Sequence, residues 1–411
     1  MTANPRTSTA ARYPIHGDAP AIYRNWQSVA ETVHGTRYFL ATKSGVFSHG
    51  RTDPAAQMLA QYAIVNDGDI VVHLNCGNGM FGVAAASRAS RVLLTDRNVV
   101  SYEAARRSLV LNNIKNAEVL LSHGTFGIPA GTLADVVGIR IPHEKQALHQ
   151  LLYDAFRILK VGGRCYLAGA TNEGIKPAAR TLADVFGNAN KLAEGSSNRV
   201  LLAMKRASTP AVDVFESPFL ESDAFMELPA TLRGMPFTLY SRPGVFSWDH
   251  VDEATALLAE HMQVKTGDSV LDLGCGGGAL GIVAAKLSGT GRVRFVDADI
   301  EAVRSTRGTI EVSRLKNCSV TVSDVALAVI DERFDMVVTN PPFHIGKATD
   351  LNIPMQFIRD AHEVLVPGGQ LNLVANRTLP YEEMITGVFG SVGTIHDGPR
   401  FKILSATKSP V

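Results

Sequence analysis

At 411 residues, with 45% hydrophobic and 19% charged residues, the chain suits two average domains and is too apolar for wholesale disorder. Its apolar runs are far too short to span a bilayer, and its four cysteines (Cys76, Cys165, Cys275, Cys318) lie far apart, which argues against a zinc site and a disulfide framework and fits a reducing cytoplasm. The net charge of +1 divides unevenly: residues 1–206 hold 23 Lys+Arg against 14 Asp+Glu (+9), and residues 207–411 hold 17 against 25 (−8), so either two packed domains attract each other or the basic half docks a polyanion.

In chain order, Met1–Tyr13 reads as a loose tail, with no apolar stretch after its arginines. Ser44-Gly45-Val46-Phe47-Ser48, followed by Asp53, leads into an amphipathic helix over Ala55–Tyr62. A buried strand, Ile70–Leu74, then enters a glycine turn through Asn75-Cys76-Gly77-Asn78-Gly79, and a second strand ends on Asp96. Gly162-Gly163 precedes a later strand. Ala207–Pro236, with Pro210, Pro218, Pro229 and Pro236, reads as a linker and lead-in.

The whole series then returns. Pro243-Gly244-Val245-Phe246-Ser247 is followed by Asp252, a helix over Ala254–Met262, a strand over Val270–Leu273 and the turn Gly274-Cys275-Gly276-Gly277-Gly278. Asp297 ends the second strand, and Gly368-Gly369 precedes a later one. The fold class is therefore α/β: two tandem Rossmann-like domains with mostly parallel sheets, residues 1–206 and 207–411.

Gly274, Gly276 and Ala279 also satisfy a dinucleotide-binding pattern, so the turn alone leaves a nicotinamide enzyme open. Asp272 before the turn suits a methionyl ammonium, Asp297 suits a ribose diol, and Asp324 in Ser323-Asp324-Val325 suits an adenine amine. All three lie at C-terminal strand ends, where open α/β sheets bind ligands, in the layout of class I S-adenosylmethionine methyltransferases.

The strand Asp335–Thr339 delivers Asn340-Pro341-Pro342-Phe343. A bare proline turn does not require asparagine before it or an aromatic after it. An exocyclic base amine does, because its lone pair is delocalised into the ring. Asn340 and the Pro341 carbonyl can accept the two amine hydrogens and aim the nitrogen, the prolines hold both acceptors in advance, and Phe343 can stack on a base taken out of its helix. No metal is needed.

Pro243–Lys408 resembles the guanine-N2 ribosomal RNA methyltransferases of the RsmC and RlmG type. The resemblance lies in Gly244–Ser247, Asp272–Gly276, Asn340–His344, Val374-Ala375-Asn376 with Leu379-Pro380-Tyr381, and Arg400–Ile403. It implies Asn340, Pro341 and Phe343 as the catalytic motif and Asp272, Gly274, Cys275, Gly276, Gly278, Asp297 and Asp324 as contacts of S-adenosyl-L-methionine. It also implies ribosomal RNA or a ribosomal subunit as partner, with small-subunit RNA favoured, and a cytoplasmic monomer that binds neither membrane nor metal. Lys347, Arg377 and Lys402 are candidate phosphate contacts, set against a solvated-surface reading of each. A protein-glutamine or other nucleic-acid amino-group methyltransferase, or a non-catalytic RNA-binding protein, is the alternative.

In the first copy Arg140 stands for Asn340, Ile141 for Pro341, His73 for Asp272, Asn75 for Gly274 and His123 for Asp324, whereas Gly77, Gly79 and Asp96 remain. Arginine offers an amine no acceptor, so methyl transfer is expected to be lost there and the first half to dock RNA and support the second.

Overall fold

The computed structural model describes residues 22–207, 218–221, 223–342, 344–345, 348–349 and 351–410. The expected tail, Phe343 and Lys347 lie outside them.

Each half is built on a seven-stranded sheet of the same order. In the first, the strands run Ala117–Leu121, Arg91–Asp96, Ile70–Leu74, Ala134–Arg140, Leu159–Ala170, Asn198–Met204 and Asn190–Gly195. In the second, they run Cys318–Val322, Val293–Asp297, Val270–Leu273, Phe334–Thr339, Leu365–Asn376, Phe401–Thr407 and Gly393–Asp397. The first five strands of each sheet are parallel and the last two pair antiparallel. The central strands are buried on both faces, which is why they read as continuous apolar runs.

The helix after the first motif spans Pro54–Tyr62 in one half and Glu253–His261 in the other. Asp53 and Asp252 cap them, their carboxylates accepting from open backbone N–H groups of the first turn. Gly79 and Gly278, at φ 87° and 90°, start the helices after the glycine turns. A Cβ on Gly278 would sit 3.1 Å from Thr306, so this glycine lets two helices approach.

The linker reading of Ala207–Pro236 is corrected in part. Met226–Leu232 pairs with Met235–Ser241 in a hairpin that matches Gln27–Val33 and Thr36–Thr42 in the first half, so the repeat starts upstream of the Gly-Val-Phe-Ser motif. Pro229 hid it, because proline is tolerated only on such unshared edges. The two-residue turns His34-Gly35 and Arg233-Gly234 have positive φ at both positions, the twist that closes a tight hairpin.

The halves meet about an approximate twofold relation at the ends of their second strands. Asn98 and Asp299 form an antiparallel bridge, with Val99 N donating to Ala298 O (2.8 Å) and Ile300 N to Arg97 O (2.9 Å). The Arg97 guanidinium grips Asp299 through two nitrogens at 2.8 and 2.6 Å. Further pairs join Lys43 to Asp324, Arg24 to Asp360 and Arg157 to Glu221. Part of the charge split thus serves domain packing. Arg88, Arg91, Arg106 and Arg107 stay at the surface and pair with acids of their own half.

Candidate active site

A cavity of about 580 Å3 opens at the C-terminal ends of the second sheet. Gly274, Cys275 and Gly276 form one wall, Asp297 another, and Asn340, Pro341 and Pro342 the far end. The turn places Gly274 at φ 78° and Gly276 at φ 53°, conformations that side chains disfavour. The Gly276 amide donates to Asp297 Oδ2 and the Asp299 amide to Oδ1, both at 2.9 Å. The carboxylate is thereby held by backbone and keeps lone pairs for a diol. Burial raises its pKa to about 6, and Asp299 nearby adds to this.

Asn340 is oriented by its amide nitrogen, which donates to Asp252 Oδ2 at 3.1 Å and to Thr255 Oγ1 at 3.0 Å. Its oxygen has no hydrogen-bond partner among the described residues and is left as an acceptor. Both clamping residues were missed at the level of sequence. The signal was there: Asp252 recurs as Asp53 after each Gly-Val-Phe-Ser motif. Phe246, 66% exposed, stands at the cavity mouth with His250.

Three expected contacts, Asp272, Asp324 and Gly278, stand outside the cavity lining. Asp272 does not line the cavity. Alternation along the strand sends Leu271 and Leu273 to one face of the sheet and Asp272 to the other. There its Oδ2 accepts from the Gly281 amide at 2.8 Å, inside the following helix. Oδ1 is buried without a partner among the described residues, and burial raises the pKa to about 7. Asp324 does not line the cavity either, although its neighbours Ser323 and Val325 do. Its carboxylate is taken by the first half: Tyr23 Oη donates to Oδ1 at 2.6 Å and Lys43 Nζ to Oδ2 at 2.5 Å. Lys43 is almost wholly buried and lies 3.7 Å from the centre of the Tyr23 ring, so an opposing carboxylate is what makes its charge tolerable. Gly278 acts through helix packing and is likewise absent from the lining.

The first half also supplies cavity wall: Tyr23, Gly45, Asn98 and Val100 line it. No local pattern in the sequence marks these residues. Among the phosphate candidates, Arg377 pairs with Asp397 and Lys402 with Glu382.

In the first half the corresponding strand end is closed. Arg140 Nε donates to Asp53 Oδ2 at 2.6 Å and Nη2 to Glu173 Oε1 at 2.7 Å, with the guanidinium 4.8 Å from the centre of the Phe47 ring. The helix cap that clamps Asn340 in one half clamps this arginine in the other. His73 repeats the Asp272 contact by accepting from the Gly82 amide at 3.2 Å, and burial lowers its pKa to about 3.

Among the described residues, no helix is long and apolar enough to cross a membrane, and no group of three or more His, Cys, Asp or Glu side chains could hold a metal ion.

The family model described as the methyltransferase small domain matches twice, over residues 37–202 and 236–405. The chain is 32% identical over 286 residues to the ribosomal RNA small subunit methyltransferase C of Hahella chejuensis, covering 69% of this chain and 80% of that protein. It is 29% identical over 335 residues to the ribosomal RNA large subunit methyltransferase G of Cronobacter sakazakii, covering 80% and 86%. Among solved structures it resembles a T. thermophilus 16S rRNA N2 methyltransferase in complex with AdoMet and guanosine, with a TM-score of 0.79 and 29% identity, covering 94% of this chain and 99% of that one.

Proposed function

Because the chain belongs to the methyltransferase small domain family, alongside the ribosomal RNA methyltransferases C and G, we propose that it transfers a methyl group from S-adenosylmethionine to the exocyclic N2 amine of a guanine in ribosomal RNA of the small subunit. The observation that carries this reading is the clamped Asn340, whose oxygen stays open at one end of a cavity that holds Asp297 beside the glycine turn.

The cofactor fits the residues present: a glycine wall without side chains, and a buried carboxylate already held by two backbone amides. When bound it supplies a methyl group activated by the sulfonium charge. The protein's part is positioning. Asn340 Oδ1 and the Pro341 carbonyl accept the two amine hydrogens, which turns the nitrogen lone pair out of conjugation and stabilises the positive charge that develops on nitrogen. Asp252 and Thr255 fix Asn340 before the base arrives, so little ordering remains for the reaction itself. The apolar walls limit water around the reacting atoms.

The first half holds a surface suited to the RNA backbone. Arg107 lies 4.6 Å from the centre of the Trp26 ring and Arg37 5.3 Å from that of Phe39, on or beside the first hairpin, with Arg106 close by in sequence. Basic groups over part-exposed aromatic rings are a combination that phosphates and unstacked bases can both use.

The test is incubation with radiolabelled cofactor and ribosomal RNA or small subunits from cells lacking the protein. Label should enter RNA and map to the N2 position of one guanine. Label in protein would support the glutamine alternative instead.

A further inference from the structure

A second cavity, of about 350 Å3, lies at the C-terminal ends of the first sheet, at the site related by the repeat to the catalytic cavity. Its walls include Gly77, Asp96, Ser122 and His123, and its rim is completed by Gly244 and Asp299 from the second half.

The end that would receive a methyl acceptor is blocked by Arg140, whose guanidinium is bound by Asp53 and Glu173. The other end is intact. Asp96 Oδ2 accepts from the Gly77 amide at 2.9 Å and Oδ1 from the Asn98 amide at 2.9 Å. These are the contacts and distances of Asp297 with Gly276 and Asp299 in the catalytic cavity. Burial also raises both carboxyls to a pKa of about 6. A carboxylate fixed in this way presents its remaining lone pairs to two adjacent hydroxyls. Gly77, at φ 57°, has nothing within 4 Å of where a Cβ would be, so a flat sugar can lie against the turn.

A second group points independently to a ligand. His123 is only 6% exposed, lines this cavity, and makes no ring-nitrogen hydrogen bond among the described residues. Burial and the nearby Arg97, Arg242 and Arg304 push its pKa well below the usual value, so the ring is neutral. A neutral imidazole offers one donor and one acceptor, neither of them used by a protein group among the described residues. The polar edge of a nitrogenous base supplies both partners. Phe126 packs edge-on to His123, with ring centres 6.0 Å apart.

We propose that the first half keeps a ribonucleoside site, in which Asp96 reads the 2′,3′-diol and His123 the edge of the base, while Arg140 closes the end that a methyl acceptor would need. The site binds a free purine nucleoside and performs no transfer. The inference rests on the reading of Asp297 as a diol contact; the four wall residues named above lie outside the catalytic cavity, while the rim residues Gly244 and Asp299 line both.

The test is calorimetry on the full chain. With the catalytic cavity saturated by S-adenosylhomocysteine, adenosine should bind at one further site per chain. Affinity should fall at least tenfold for 2′-deoxyadenosine, which lacks one hydroxyl of the diol, and by a similar factor in Asp96→Asn. The deoxynucleoside arm needs no mutation and so remains decisive if the variant folds poorly. Absence of a second site, or equal affinity for adenosine and 2′-deoxyadenosine, would overturn the proposal.

Discussion

The ends of the two equivalent strands, Ala134–Arg140 and Phe334–Thr339, deliver different polar side chains, Arg140 and Asn340, and these separate a blocked acceptor end from an open one. Both are approached by a capping aspartate, Asp53 or Asp252. Where that aspartate meets the short amide of Asn340, it leaves an acceptor facing the cavity. Where it meets Arg140, it holds a charged plug. The second strands show the opposite pattern, because Asp96 and Asp297 make the same two backbone contacts. A contact to backbone amides depends on the path of the chain and survives with the fold. A contact that needs one side-chain oxygen disappears with one substitution. His73 and Asp272 illustrate the first kind: two chemically different side chains accept from the same helix amide, and burial disfavours charge on both.

The largest effect expected from this comparison is on the reaction. Asn340→Ala should slow methyl transfer by ~10²–10³-fold, the scale of losing one well-placed transition-state hydrogen bond, with cofactor affinity nearly unchanged. Arg140→Ala at the matching position should leave the rate within experimental error. Single-turnover rates with cofactor Kd measured alongside make the comparison, and unchanged turnover of Asn340→Ala would reduce that residue to a turn former.

A smaller effect tests how far the halves are separable. Lys43→Met removes the buried partner of Asp324 and should lower stability by about 3 kcal/mol, the usual cost of breaking such a pair. It should also weaken cofactor binding, because Tyr23 lies between Lys43 and the cavity. Denaturant melts and calorimetry report the two effects. For the same reason, residues 207–411 alone should bind cofactor less well than the full chain. A variant as stable and as tight-binding as the parent would show that the first half contributes no wall of consequence.

The smallest effect concerns the basic surface. Arg106→Glu with Arg107→Glu should raise the RNA dissociation constant and flatten its dependence on log salt by about two, roughly one for each phosphate left unneutralised. Exposed pairs such as those with Glu103 contribute about 1 kcal/mol or less, so the melting temperature should hardly move. A lower melting temperature with unchanged RNA affinity would assign these charges to packing.

The sequence by itself determined the duplication, the parallel sheets, the aspartate that precedes the first helix of each half and the strand that ends in Asn340-Pro341-Pro342. All of these are local: a period of burial, a glycine where φ is positive, a cap next to its helix. The hairpin that opens each half is equally local, and its His34-Gly35 or Arg233-Gly234 turn is legible, but Pro229 gives the later hairpin the composition of a linker. Only the tertiary structure decided which way Asp272 faces and what holds Asp324. The pleat gives Asp272 a helix amide to bind, behind the cavity. Lys43, 281 residues away in sequence, needs a carboxylate to stay charged in the domain interface, and Asp324 is the one within reach. Such pairings arise from desolvation at a contact between distant segments, and no spacing along the chain encodes them.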